Sequence, residues 1–280
     1  MIEPGKLIHL EAGQKRRKLA LTFGALERDI DGIPEKGNEY NYKTISRPDY
    51  IKRLVEIIVK DADMPPLARD QLIQLIQTEP FDAQAEKRTC NLARNTLLAM
   101  IGTFPAEWDL IIAPHPNTPD KNGVVKEREF FKDVYVYAED IRSPFNLGSI
   151  FRSAEAMGAQ KVLISPLCVP PDHPKAIRSG MGCIETLGWE KLSIPELMEF
   201  AKENDLPIFV LETGGTPVGE FNFPERGICI IGSEELGVSP AALDAATYGR
   251  VTIPMKGLKA SLNVGVAYGI LMQKWVESLS

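Results

Sequence analysis

From Glu129 onward the chain keeps one rhythm: a short apolar run, a helical stretch, then another short apolar run. The runs are "VYVYA", "KVLIS", "PIFVLE", "GICIIG" and "GRVTIP", each long enough for a strand and too short for a helix. Helices are expected to begin near Asn146, Ile194 and Ser239, with a last one from Ser261 to the end. Short buried strands alternating with helices specify a parallel sheet with helices on its faces, an α/β fold. Ligands of such sheets sit beyond the carboxyl ends of the strands. That rule brings the loops "SPFNLG", "ETGG", "GSEELG" and "MKGLKASLN" into one neighbourhood.

Residues 1 to about 128 follow a different pattern, mostly helical. "SRPDYIKRLVEIIVKDAD" opens on Ser46 as a cap, with Pro48 in the first turn where its missing N–H costs nothing. Tyr50, Ile51, Leu54, Ile57 and Ile58 then recur at helical spacing. Further helices are expected over "PLARDQLIQLIQ" and "AEKRTCNLARNTLLAMIG", and a polar loop over "IDGIPEKGNEYNYKTISRP". "APHPNTPDKNG", Ala113 to Gly123, carries three prolines and an Asn-Gly turn, as a connector would. Two domains are therefore expected, a helical one over 1–120 and an α/β one over 129–280.

Composition excludes several function classes. No apolar run approaches the ~20 residues of a membrane span, and the N-terminus lacks a secretory leader's apolar core and cleavage site. Cys90, Cys168, Cys183 and Cys229 lie far apart without a CxxC pair, and the three histidines are equally scattered. Neither a metal site nor a disulfide framework is expected, and a reducing cytoplasm fits. The formal net charge is −6, with 32 Lys+Arg against 38 Asp+Glu, so a polyanion would have to meet a local patch. Lys15-Arg16-Arg17-Lys18 is one candidate, and Arg142, Lys256 and Lys259 are others.

The glycine loops match no standard nucleotide fingerprint. "ETGGTPVG" lacks the Lys-Ser/Thr of a P-loop, and no GxGxxG opens a helix after the first strand. What they share is exposed backbone at Gly232, Gly237 and Gly257, with Ser233, Ser261 and Asn263 nearby, suited to gripping a polar ligand through main-chain groups. Taken singly, each polar residue has a structural reading. Arg152 can pair with Glu155 on its helix, Glu234 can cap the following helix, and Ser261 and Asn263 can start one.

Three segments in order carry more. "NLGSIFR" (Asn146–Arg152) has the form N-x-G-x-x-x-R, "IIGSEELG" (Ile230–Gly237) has G-x-E-x-x-G after an apolar strand, and "IPMKGLKASLNVGVA" (Ile253–Ala267) follows. Together they resemble the signature of the SpoU–TrmH family of RNA ribose 2′-O-methyltransferases, within the SPOUT superfamily. The resemblance covers about residues 129–280 and leaves the N-terminal half, where family members often carry an RNA-binding extension. It implies a parallel α/β sheet whose C-terminal segment is threaded into a trefoil knot, one of the exceptions to the rule against knots. It implies S-adenosyl-L-methionine as cofactor, held at positions that here are Leu211, Glu212, Thr213, Gly232, Ile253 and Leu262. It implies Asn146, Arg152, Glu234, Ser261 and Asn263 as the catalytic set, an RNA partner (tRNA or rRNA), and a homodimer in which Arg152 of one copy faces the other's cofactor. Where many members have Gly, this chain has Glu235, one extra carboxylate beside the implied pocket.

Arg152 is expected to clamp an RNA phosphate and ease proton loss from the 2′-hydroxyl by its field, because a guanidinium stays charged and accepts no hydrogen bond. A base-methylating enzyme of the same fold and a non-catalytic RNA-binding or dimerisation module are the alternatives.

Overall fold

The computed structural model describes residues 10–33, 45–105, 127–259 and 261–279. The chain divides into two compact units, Met1–Pro114 and His115–Ser280. The expected connector at 113–123 and most of the expected polar loop at 30–48 lie outside the described residues.

The first unit is helical: α1 (Ala12–Ile30), α2 (Arg47–Ile58), α3 (Pro66–Ile76) and α4 (Ala83–Met100). Ser46 caps α2 by accepting the Asp49 N–H at 3.3 Å, with Pro48 in the first turn as the sequence indicates. Leu19, Phe23, Leu26, Ile51, Leu54, Leu72, Cys90 and Leu97 close one apolar core. Polar ties then fix the helices against each other. Arg47 meets Glu86 at 2.6 Å and Asp29 at 3.2 Å. Glu27, 1 % exposed, takes Arg94 at 2.7 Å and the Asn91 amide at 2.9 Å. Burial pushes the Glu27 carboxyl up from its ordinary value, while Arg94 and Asn91 oppose that shift.

The basic run Lys15–Lys18 falls on α1, a helix that the three expected segments did not include. It is not a free patch throughout. Arg16 is spent on Asp61 (2.7 and 2.8 Å) and Asp63 (2.6 Å), whereas Arg17 and Lys18 are exposed.

The second unit is the expected parallel α/β sheet, in the order β3-β2-β1-β5-β4-β6. Its strands are β1 (Val134–Ala138), β2 (Lys161–Ile164), β3 (Trp189–Lys191), β4 (Ile208–Pro217), β5 (Gly227–Ile231) and β6 (Gly249–Thr252). Its helices are α5 (Pro144–Ala156), α6 (Pro174–Gly180), α7 (Cys183–Leu187), α8 (Ile194–Glu203), α9 (Pro240–Ala245) and α10 (Val264–Leu279). Strand parity assigns the faces. Val134, Val136, Ala138, Phe209, Cys229 and Ile231 pack with Phe151, Tyr268 and Trp275 of α5 and α10. Tyr135, Tyr137, Ile208, Val210, Ile228 and Ile230 pack the other way, with Leu197 of α8 and Ala242 of α9.

Three features depart from the expected pattern. β3, with its Trp-Glu-Lys sequence, is an edge strand without an apolar run. The "ETGG" segment is not a loop after β4 but a bulge within it, since Leu211 and Thr216 both register against Val251. The last helix begins at Val264 rather than Ser261, because Asn263 Oδ1 accepts the N–H groups of Gly265 (3.0 Å) and Val266 (3.3 Å) and so caps it. The far end of α10 is anchored by Trp275, whose indole N–H meets Pro224 O at 2.7 Å beside the edge of Phe209.

β1 and β5 are neighbours, although the chain leaves β1 towards β2 on one side and returns to β5 on the other. The loops after these two strands therefore open at the point where strand order reverses, which is where a ligand site forms.

Gly148 sits where α5 crosses α6, with a built Cβ only 2.6 Å from Ala176 O and 2.7 Å from Gly180 N. Gly148→Ala is expected to destabilise the fold by about 1–3 kcal/mol, while Gly219→Ala, with nothing within 4 Å, should leave the thermal midpoint nearly unchanged. Equal midpoints would refute the crossing as the reason for glycine. Arg94→Met should cost about 3–5 kcal/mol by stranding Glu27, and adding Glu27→Leu should recover most of that in urea unfolding.

Candidate active site

The carboxyl ends of β5 and β6, the bulge of β4, Asn146 of α5 and the start of α10 enclose a cavity of about 680 Å³. That volume lies within the range of small-molecule and cofactor sites. Two glycines let the walls close. A side chain on Gly232 would lie 2.1 Å from Gly237 C and 2.2 Å from Val238 N, main-chain atoms that cannot move aside. Gly237 adopts φ +68°, and a Cβ there would stand 2.5 Å from Glu212 Oε2. The turn between them is pinned by reciprocal bonds, the Ser233 N–H to Gly237 O and the Gly237 N–H to Ser233 O, both 3.0 Å.

Glu212 is used on both oxygens. Oε2 accepts the Val238 N–H at 3.0 Å, and Oε1 accepts the Thr213 N–H and hydroxyl at 2.7 and 3.0 Å. Glu139, at the end of β1 and 5 % exposed, accepts the Ser239 N–H at 2.8 Å and its hydroxyl at 2.5 Å. Ser239 in turn caps α9 through the Ala242 N–H. Glu139 thus ties the end of β1 to the segment that follows the turn, a role no sequence motif marked.

Glu234 does not cap the helix that follows it. Its carboxylate reaches back to the entry of α5, accepting the N–H groups of Arg142 and Ser143, both at 3.0 Å, and the Asn146 Nδ2 at 2.8 Å. A carboxylate only accepts, so Asn146 must present Nδ2 to it and Oδ1 elsewhere. That Oδ1 accepts Asn263 Nδ2 at 2.9 Å, leaving Asn263 Oδ1 for the amides that start α10. One charge therefore sets the orientation of two amides and joins all three motif segments. Partial burial alone would raise the Glu234 carboxyl. The hydrogen bonds from Arg142, Asn146 and Ser143 outweigh it and hold the group below its ordinary value of 4.5.

Asn146, Glu234, Ser261 and Asn263 all line the cavity, and so do Leu211, Glu212, Thr213, Gly232, Ile253 and Leu262. Glu235 and Arg250 line it too, and Arg250 is a residue the sequence reading did not single out. Arg152 is not part of the lining. It lies on α5, about 9 Å further along the helix axis from Asn146. There its charge is felt by Cys183, whose thiol burial pushes up to about 11, with Glu155 adding to the shift and Arg152 opposing it. Gly148 serves the α5–α6 crossing rather than a turn, and a Cβ on Gly257 would meet nothing within 4 Å. The four cysteines are free and buried, no group of metal-ligating side chains occurs among the described residues, and none of their helices is long and apolar enough to cross a membrane.

The cavity lining holds three carboxylates (Glu212, Glu234 and Glu235) against the single guanidinium of Arg250 among the described residues. Leu211, Ile231, Ile253 and Leu262 supply apolar wall. Such a lining suits an organic ligand with positive charge and an apolar body.

Comparison with known proteins agrees with this geometry. Residues 133–273 match the model of the SpoU rRNA Methylase family. An uncharacterised tRNA/rRNA methyltransferase of Synechocystis is 33 % identical over 214 residues, which are 71 % of this chain and 77 % of that protein. A 23S rRNA (uridine(2479)-2′-O)-methyltransferase of Streptomyces viridochromogenes is 33 % identical over 142 residues, 48 % of this chain and 49 % of its own length. The crystal structure of the SpoU methyltransferase AviRb from Streptomyces viridochromogenes superposes with a TM-score of 0.50 at 26 % identity, covering 59 % of this chain and 65 % of that one. A β1–β5 switch point, the three segments joined there by Glu234, and a family match across the whole sheet agree: the chain belongs to the SpoU rRNA methylase family.

Proposed function

We propose that this protein transfers a methyl group from S-adenosyl-L-methionine to a ribose 2′-hydroxyl of tRNA or rRNA. The observation that carries the reading is the Glu234–Asn146–Asn263 chain, which locks the three motif segments around one cavity. The relatives support it, being named as tRNA and rRNA methyltransferases, one of them specifically 2′-O.

The cavity suits the cofactor. Gly232 and Gly237 hold a backbone cradle that any Cβ would obstruct, Leu211, Ile253 and Leu262 offer apolar wall to an adenosine, and the carboxylates favour a cation. When bound, S-adenosyl-L-methionine supplies a methyl group already activated on a sulfonium. What remains for the protein is alignment and proton loss from a weakly acidic hydroxyl. In this reading Leu211, Glu212, Thr213, Gly232, Ile253 and Leu262 hold the cofactor, while Ser261 and Asn146 position the acceptor ribose. Glu234 and Asn263 keep Asn146 in one orientation. Arg152 clamps a phosphate beside the target and lowers the barrier to losing the 2′-hydroxyl proton, with a water or phosphate oxygen receiving it.

Arg152 stands outside the lining of its own chain's cavity, which favours a homodimer in which it serves the other copy. The C-terminal segment is taken to thread into a trefoil knot, the helical first unit (1–120) to help choose the RNA, and the site of action to be the cytoplasm.

The direct test is incubation with labelled S-adenosyl-L-methionine and unmodified RNA, followed by mapping of the methyl; a methyl on a base would overturn the ribose assignment. Arg152→Lys should lower kcat at least about a hundredfold while leaving cofactor affinity unchanged. Mixing inactive Arg152→Ala with inactive Ser261→Ala subunits should restore part of the turnover, and no restoration would refute the shared site. Because Glu234 is depressed in the folded chain, its contribution to stability is complete above pH about 4.5 and is lost as pH falls through the depressed value. Glu234→Gln should remove that acid-side loss from the midpoint-versus-pH curve and disorder Asn146, lowering turnover at every pH.

A further inference from the structure

The lining of the cavity and the segment beside it differ in charge. Its walls carry Glu212, Glu234 and Glu235 against Arg250, which suits a cation and repels phosphate. The segment that forms its lip has the opposite character. Between the lining residues Met255 and Ser261 lies Lys256-Gly257-Leu258-Lys259, with both lysines exposed. Leu258 is 108 % exposed, more open than a leucine in an extended reference chain, and a Cβ on Gly257 before it would meet nothing within 4 Å. Leu236, one of the lining residues, is 83 % exposed.

One exposed leucine is ordinary on a protein surface. A fully exposed leucine between two lysines at the mouth of an acidic cavity is a different arrangement, because apolar area and positive charge are presented together. Single-stranded nucleic acid offers the complementary pair, phosphates for the lysines and an unstacked base face for the leucine. Duplex RNA hides its base faces, and a membrane would need a wider apolar surface than these side chains provide. With a net charge of −6, a polyanion has to meet a local basic patch, and these two exposed lysines lie between residues that line the cavity.

Building on the proposed function, we propose that Lys256–Lys259 is a grip for an unpaired acceptor strand of RNA. Lys256 and Lys259 contact phosphates flanking the target nucleotide, and Leu258 packs against a neighbouring base that has left its stack. The lining carboxylates disfavour phosphate inside the cavity, so the two lysines offer the backbone a place beside it.

The test uses the full chain and total RNA from cells lacking this protein. Wild type and labelled S-adenosyl-L-methionine identify the methylated RNA, and a transcript of that region then serves as the probe in anisotropy titrations across salt. Lys256→Gln/Lys259→Gln should lower the slope of log affinity against log salt by about 1.4, roughly 0.7 for each phosphate on a single strand. Leu258→Ser should leave the slope unchanged and weaken binding about tenfold at fixed salt. Cofactor affinity by calorimetry should match wild type in both. An unchanged slope in the lysine variant, or wild-type affinity in Leu258→Ser, overturns the grip while the methyltransferase reading stands. A dimer that Leu258→Ser converts to monomer in sedimentation also overturns it, by making the leucine a subunit contact. Failure of wild type to methylate any RNA overturns both.

Discussion

The second unit turns on one accepting group. Glu234 has no proton to donate, so the two main-chain N–H groups ahead of α5 and the amide of Asn146 must all point at it. From that the orientation of Asn146 follows, then that of Asn263, then the first turn of α10. Three segments distant in sequence, which also share one apolar core, are thereby fixed in a single polar arrangement. An amide in place of the carboxylate would present a donor to a cluster of donors, and the order of the whole site would have to be found again.

Around this chain the fold supplies two kinds of rigidity. Below it, the doubly covered sheet places β1 and β5 side by side with every residue of both strands buried. Beside it, backbone meets backbone at Gly232, where no side chain can be admitted. The cavity is thus shaped by main-chain positions set by the sheet, and side chains decorate it. This division suits a site that must hold a flexible, charged small molecule and a much larger polymer without large rearrangement.

The sheet was readable because parallel strands buried on both faces leave uninterrupted apolar runs, and "VYVYA" and "GICII" are such runs. β3 was not, since an edge strand of Trp189-Glu190-Lys191 buries too little to leave a pattern. The bulge at Glu212–Gly215 was taken for a loop because its glycines read as a turn, whereas pairing with β6 resumes at Thr216. Among the site residues, the resemblance of three motif segments to a known family brought Asn146, Glu234 and Asn263 to notice, but the direction of Glu234, back to the preceding helix rather than on to the next, depended on strand order that no local pattern encodes. Glu139 and Arg250 carry no signature at all. α1 was obscured because its basic run looked like a solvated surface, while Arg16 is held by carboxylates more than forty positions away, beyond the reach of any local rule.

Strand parity in the central sheet has a further consequence. With both faces packed, adding or removing one residue within β1 or β5 would exchange the sets facing α5 and α8, so the strand lengths tolerate no drift. Gly257 and Leu258, between β6 and α10, carry no such restriction, because a Cβ on the first would meet nothing within 4 Å and the second is fully exposed. Diversification of this scaffold towards new acceptors is therefore channelled into a few unpacked positions near the mouth, while the frame beneath them stays frozen.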